Sequence, residues 1–288
     1  MTLLRTHNER QEMVRAWAAH DAEIFKSFVE TVTRLTGRAM PDLRVLDLGC
    51  GSNAPMTVLL HASGTHVTGV DTTVGFRWGL GVKPSRHLEN LRQAGIIKTA
   101  RKVAGEIVYD RLYWQHLAAL TGLKLSDDGL DLQAMDIQQP NLPPNSFDVV
   151  HSNATWEHVA DVPAANRTLA AALRPNGVAY IEIHLFPSLS GGHDLPWIVP
   201  GKTVLGEVRP WQHLRDPAWR APVFLNRLRE RDYRRHFEEV PGLVIEEWRL
   251  EFSEGHELLT PEIQQALADY TPEELTRRSI IAVLRKGA

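Results

Sequence analysis

Gly49 and Gly51, flanking Cys50 and preceded by the apolar run Leu43 to Leu48, are the first residues whose spacing suggests chemistry. Glycines let a backbone turn tightly and approach a bound molecule where a side chain would collide. A helix beginning around Ser52 to Ala54 would aim its free N–H groups and its positive end at that molecule. Asp71 closes the next apolar run, about 20 residues on, where an acid can accept hydrogen bonds from ribose hydroxyls. These residues describe a nucleotide cradle. Gly49, Gly51 and Ala54 also satisfy G-x-G-x-x-A, a dinucleotide fingerprint. Asp47 tilts the choice, because a carboxylate at that strand end repels a pyrophosphate and suits a cation such as an ammonium beside a sulfonium.

A second set of residues suits proton transfer. His158, next to Glu157, follows the fourth apolar run; His184 follows the fifth; His193 sits in Ser190-Gly191-Gly192-His193-Asp194. A histidine of near-neutral pKa can take a proton from a hydroxyl or amine nucleophile. Each also has a structural reading. Thirteen histidines give many chance pairs, and no H-E-x-x-H or cysteine cluster is present, so no metal is expected. Cys50 reads as a small residue filling a tight turn rather than a nucleophile.

The elements that must position these groups follow from periodicity. Val14 to Leu35 recurs at helical spacing, as one helix or two, with Gly37 as a stop. Leu43–Leu48 (strand), Ala54–Ala62 (helix) and His66–Val70 (strand) make one βαβ unit, which implies a parallel sheet. Residues 84–122 read as a helical insertion of two helices broken near Gly95. Leu130 to Met135, Phe147 to His151 and Val178 to Leu185 supply three more strands. Val162 to Leu173 is a helix stopped at Pro175-Asn176-Gly177. Residues 187–222, rich in Gly, Pro, Trp and His, read as a lid or acceptor-binding loop. Trp197, Trp211 and Trp219 either line a pocket there or cover the sheet edge. Val223 to Glu238 reads as a helix whose mixed Arg and Glu run is a solvated face. Leu243–Phe252 and Ser279–Leu284 form a closing strand pair around a helix near Pro261–Tyr270. The expected fold is a doubly wound, mainly parallel α/β sheet with an antiparallel C-terminal pair, as a single domain over residues 1–288.

The motifs resemble a known family. Val45-Leu46-Asp47-Leu48-Gly49-Cys50-Gly51 resembles the first motif of class I S-adenosylmethionine-dependent methyltransferases, with a Rossmann-like fold, and Asp71 matches their ribose-binding acid. Ala134-Met135-Asp136-Ile137 is similar to their adenine-contacting segment. Phe147 to Asn153, followed by Trp156-Glu157-His158-Val159, resembles the fourth-strand motif and the helix entry after it. Leu173-Arg174-Pro175-Asn176-Gly177 resembles the turn before the fifth strand. The resemblance implies S-adenosyl-L-methionine as cofactor, held by Asp47, Gly49, Gly51, Asn53, Asp71, Thr72, Asp136, Ile137 and Asn153. Its third glycine is Asn53 here, and the 84–122 connection is longer than usual. The reaction implied is methyl transfer to an oxygen or nitrogen of a small molecule, with a sugar or secondary metabolite as candidate acceptor. Two other readings stay open: an NAD(P)-dependent oxidoreductase using the same glycine turn, and a non-catalytic module that binds an adenosyl ligand.

Composition narrows the partners. A formal charge of −3 on 288 residues offers no global field for nucleic acid or an anionic membrane. The single cysteine excludes an internal disulfide. Met1 to Arg15 has no signal-peptide core and no stretch reaches the roughly 20 apolar residues of a spanning helix, so a cytoplasmic protein is expected.

Overall fold

The structure, a computed structural model, describes residues 7–74, 96–139, 141–194, 197, 208–221 and 223–288. Seven strands are present among them: β1 Arg44–Leu48, β2 His66–Asp71, β3 Asp131–Ala134, β4 Phe147–Asn153, β5 Leu173–His184, β6 Leu243–Ser253 and β7 Arg277–Lys286. Their order in the sheet is β3-β2-β1-β4-β5-β7-β6. β1, β4 and β5 run parallel, as do β2 and β3, while β7 is antiparallel to both β5 and β6. The sheet is therefore mainly parallel with an antiparallel C-terminal pair, as the alternation of strand and helix signals requires. The chain divides into two compact units, one of Met1–Asp42 with Cys50–Ala134, the other of Leu43–Gly49 with Met135–Ala288.

In the first unit, α1 is one unbroken helix, His7–Thr36. It ends where Gly37 takes φ +66° and returns its N–H to Thr33, the left-handed C-terminal cap that glycine makes easy. The apolar stripe of α1 (Val14, Ala18) packs with Val58 and Leu59 of α2, Pro55–Ala62, and with Tyr113, Trp114 and Leu117 of α3, Ile96–Thr121. The expected break near Gly95 falls outside the described residues. Residues 84–95, the first part of the expected insertion, lie outside the described residues.

One ionisable pair sits inside this helical layer. The Tyr113 hydroxyl donates to Asp21. Burial pushes the Asp21 carboxyl up to about 6 from 3.8, only partly offset by that hydrogen bond. The folded state thus holds the proton more tightly than the unfolded chain does. Stability is full below pH 4, falls as pH rises through 4 to 6, and stays reduced above that. Asp21→Asn is expected to remove this slope and to raise stability at pH 8 by about 1–2 kcal/mol, discounted for partial exposure. Urea midpoints of both proteins from pH 4 to 8 check it, and parallel curves would rule it out.

In the second unit, β4, β5 and β7 form the buried centre. Val149, Val150, Ala179, Ile181, Ile183 and Ile280 to Leu284 are all inaccessible, as expected for strands covered on both faces. α4 is Val162–Ala172, started by the Asp161 side chain accepting from Ala164 N–H at 2.9 Å. β5 begins earlier than its apolar run suggests. Leu173 already pairs with Phe147, and the register shifts before Val178 meets Val149, with Asn176 at φ +64° within the irregularity.

Two helical expectations in this unit are corrected. The helix expected over Val223–Glu238 is only α6, Glu230–Glu238. Residues 223–229 are irregular because Asn226 is tied to the turn after β4, and Arg227 takes φ +61°. The helix expected near Pro261–Tyr270 is shorter, α7 Pro261–Ala266. A separate helix, α8 Pro272–Thr276, follows with its own capping box from Thr271 and Glu274. A further short helix, α5 Gln212–Arg215, lies in the expected lid. Trp197 and Trp211 there are buried with Leu189, Leu267 and Leu275, and Trp211 Nε1 donates to the Leu275 carbonyl at 3.1 Å. These two tryptophans are buried in a cluster of leucines from the 189 turn and from the helical segments that follow β6. Residues 195–196, 198–207 and 222 of the expected lid are outside the described residues. No helix among the described residues is long and apolar enough to cross a membrane.

Candidate active site

The glycine turn after β1 is built by two different requirements. Gly49 has φ +70°, and a Cβ there would lie 2.2 Å from Thr155 Oγ1. It must be glycine because Thr155 packs on it, with that hydroxyl shared between the Gly49 and Asn153 carbonyls at 3.3 and 3.1 Å. Gly51 has φ +69°, yet a Cβ there would meet no described atom within 4 Å. The space beside Gly51 is the part of the cradle open to a ligand. Ala54 also takes a left-handed conformation, φ 46°, and Pro55 follows as the first helical residue of α2. Pro55 has no N–H, so α2 presents fewer donors than the expected start at Ser52 to Ala54.

Asp71 does two things at the end of β2. Its Oδ2 accepts from Gly51 N–H at 2.9 Å, and its Oδ1 accepts from Thr73 N–H and Oγ1 at 2.7 and 2.6 Å. Oδ2 keeps a lone pair, so a ribose hydroxyl remains compatible with these bonds. Thr72 beside it is exposed, as is Asn53.

In the second unit Asp47 is buried, and its Oδ1 lies 2.8 Å from His151 Nδ1 across the β1–β4 pair. His151 was not singled out by its sequence, which shows only one histidine in an apolar strand. Asp136 folds back on Gln138, accepting from its N–H and Nε2 at 2.9 and 3.1 Å. That is the turn an Asp before Ile-Gln-Gln-Pro can also make. Ile137 is buried and Asn153 half-buried.

The three candidate histidines, 26 and 9 residues apart along the chain, converge at the carboxyl ends of β4 and β5. His193 stacks on His184 with ring centroids 4.8 Å apart and meets His158 edge-on at 4.8 Å. Glu157 lies among them: its Oε1 is 3.9 Å from His193 Nε2 and 4.0 Å from His158 Nε2. Neither oxygen of this buried carboxyl has a hydrogen-bond partner of ordinary geometry. Burial pushes Glu157 up to about 8, and Glu182 adds to the rise. The backbone N–H groups of Glu157 and His184 offset part of it. His193 is pushed down to about 4 by burial and then by neighbouring His158, Arg278 and His213. His184 is driven well below the usual imidazole range by burial and then by His193, Arg278, His158 and His213. At neutral pH the imidazoles of His184 and His193 are uncharged.

Outer oxygens orient two of these rings. His158 Nδ1 is 2.8 Å from the Phe224 carbonyl, which can only accept, so His158 carries its proton there. Ser190 Oγ and N–H both donate to Glu254 Oε1, each at 2.7 Å. The Ser190 hydroxyl proton is therefore committed, and His184 Nε2, 2.8 Å away, must donate to it. His158 Nε2 and His184 Nδ1 are left with free lone pairs. His193 reaches the cluster from a left-handed backbone, φ 58°, at the end of the Gly191-Gly192 turn. Beside it, Trp219 Nε1 donates to Asp194 at 3.0 Å.

Asn226 is the functional residue that periodicity hid. Its Nδ2 donates to the Trp156 and Val159 carbonyls at 2.7 and 3.1 Å. Its Oδ1 accepts from Tyr233 Oη and Leu228 N–H at 2.8 and 3.1 Å, and its own N–H donates to Glu157 O at 2.9 Å. It fastens the turn that carries Glu157 and His158. Only its place inside an expected helix concealed it.

Residues 19–247 match the family described as a methyltransferase domain. Uncharacterised methyltransferases of Mycobacterium bovis and Mycobacterium tuberculosis are 33% identical over 98 residues, which is 33% of this chain and 48% of theirs. The chain thus spans about half the length of the curated relatives it matches. Among solved structures, an S-adenosylmethionine-dependent methyltransferase from Mesorhizobium loti is 18% identical. The alignment covers 85% of this chain and 91% of that one, with a TM-score of 0.46. The YcgJ protein of Bacillus subtilis is 13% identical over 94% of this chain and 99% of its own, also with a TM-score of 0.46. The family match spans most of the sequence, together with the glycine turn and the parallel strands that follow it, and the chain belongs to the methyltransferase-domain family.

Proposed function

We propose that the protein transfers a methyl group from S-adenosyl-L-methionine to an oxygen or nitrogen of a small molecule, with a hydroxylated acceptor favoured. The observation that carries this reading is the glycine turn, where Gly51 leaves open space and donates its N–H to the acid that ends β2. Asp47, Gly49, Gly51, Asn53, Asp71, Thr72, Asp136, Ile137 and Asn153 would hold the cofactor. When bound, it supplies an already activated methyl on sulfur, so the protein's own share is alignment and exclusion of water.

On the acceptor side His158 is the best-placed proton acceptor. Its Nδ1 proton is anchored on Phe224, its Nε2 lone pair is free, and its side chain is partly exposed. His184 and His193, uncharged by burial, would shape the pocket without adding positive charge. The near-balanced charge, −3 over the chain, favours a small molecule over nucleic acid.

Calorimetry with S-adenosylhomocysteine and NAD, followed by label transfer from radioactive cofactor, tests the reading. Asp71→Asn keeps the shape of the side chain but removes its charge. It is expected to weaken S-adenosylhomocysteine binding by about 10-fold or more, the effect of one charge-assisted hydrogen bond, and to lower the melting temperature modestly, because one acceptor of the Gly51 and Thr73 bonds becomes a donor. Unchanged affinity would remove the ribose assignment. Tight NAD binding alone would replace the reading with an oxidoreductase, and binding without any labelled product would favour an adenosyl-binding module.

A further inference from the structure

Glu157, His184 and His193 each offer a ligand atom, and these atoms all lie within 4.8 Å of one another. All three belong to the same compact unit, on the segments that leave β4 and β5 and on the Ser190-to-His193 turn. From this geometry we infer that Glu157, His184 and His193 form a binding site for a divalent cation of the zinc class.

Hydrogen bonding does not satisfy the cluster as it stands. Both oxygens of Glu157 and Nε2 of His193 are buried without a hydrogen-bond partner of ordinary geometry, whereas buried polar atoms are nearly always bonded. Glu157 Oε1 lies 3.9 Å from His193 Nε2 and 4.0 Å from His158 Nε2, gaps about 1 Å too long for a shared proton. They are nearer to the roughly 3.4 Å between ligands across a tetrahedral centre with bonds of about 2.1 Å. Closing that difference takes about half an ångström for these two gaps and up to about 1.4 Å for the widest separation in the triad, 4.8 Å.

The proton inventory points the same way. A ligating histidine commonly gives its other N–H to an oxygen, which fixes the ring and leaves one lone pair for the cation. His184 does this through Ser190 to Glu254. His158 does it through the Phe224 carbonyl, and its free Nε2 lies beside the same Glu157 oxygen. Two imidazoles and one carboxylate are the ligand set of catalytic zinc sites that keep a position open. The carboxylates of Glu182 and Glu254 outnumber the nearby Arg278, and a bound cation would draw the proton from Glu157 to complete the charge balance. Little in the sequence marks this site, because its ligands sit at 157, 184 and 193 and form no short motif. An oxygen of a hydroxylated acceptor in the open position would be polarised by the cation. That link rests on the methyltransferase reading; the cation site itself does not.

The test uses the untagged full chain, stripped with chelator and titrated with Zn²⁺ by calorimetry and with Co²⁺ by visible absorption, without cofactor or acceptor. The expected result is one equivalent bound, with the intense d–d bands of low-coordinate Co²⁺. Glu157→Gln, which replaces a buried carboxyl with a neutral isostere and so keeps the fold, and His193→Ala should each weaken binding by on the order of 100-fold. Glu254→Gln, one step further out, should weaken it by about 10- to 100-fold. Failure of the folded wild type to bind either ion would overturn the site. Binding that Glu157→Gln and His193→Ala leave unchanged would also overturn it, since the ion would then sit on other histidines. A cation that binds while no methyl product forms would separate this site from the proposed reaction.

Discussion

Gly191→Ala is expected to destabilise the protein by about 3 kcal/mol, at the upper end for overpacking a closed space. A Cβ at this position would lie 2.2 Å from the Phe186 carbonyl oxygen and 2.4 Å from that of Leu185. Both obstacles are backbone, so no side-chain rotation relieves them. Gly191 is also bonded within the turn, its N–H donating to Ser188 O at 3.1 Å. Its neighbours Ser190 and His193 would move with it, and the pairing of His184 with Ser190 would be lost. Gly37→Ala is the matching control. It has φ +66° but nothing within 4 Å of the added carbon, so it should cost only about 1 kcal/mol. Chemical denaturation of the two variants separates a collision from a conformational penalty. Equal losses would show that the turn around Gly191 can give way.

Asn226→Ala is expected to cost about 3 kcal/mol and to loosen the turn bearing Glu157 and His158. The change strands the Trp156 and Val159 carbonyls and the Tyr233 hydroxyl, which is inaccessible to water. A buried polar group without its partner costs about 1–3 kcal/mol, and these groups share one site, so the losses do not simply add. Asn226→Asp separates the roles. It keeps the acceptor for Tyr233 and Leu228 but replaces the donor to two carbonyls with a second oxygen. Hydrogen exchange at Val159 and at Asn226, whose N–H bonds Trp156 O and Glu157 O, reports the loosening directly. Protection in Asn226→Ala equal to that of the wild type would refute this anchoring role.

The arginine-rich stretch illustrates how sequence and structure divide. Arg234 pairs with Glu238 and Arg235 with Asp232 on α6, as a mixed helix face should. Arg229, in the same run, instead lies 4.2 Å over the Tyr270 ring and donates to the Asp269 carbonyl. Arg227 sits over Phe186 and Trp219. Charge patterning describes exposed faces well, and it says nothing of partners brought from forty residues away.

The sequence by itself determined the parallel strands, their order of appearance and the glycine turn, because those depend on local apolar runs and on backbone freedom at Gly49 and Gly51. It also singled out His158, His184 and His193 as groups able to carry protons. Only the tertiary structure decided that these three meet around an unpartnered Glu157. It likewise decided that Asp47 is held by His151, that Trp197 and Trp211 are buried, and that Asn226 is an anchor rather than a helical residue. The physical reason is range. Strand and turn preferences act over a few neighbouring residues, whereas a ring's orientation or a carboxyl's missing partner depends on groups that folding alone brings within hydrogen-bond distance.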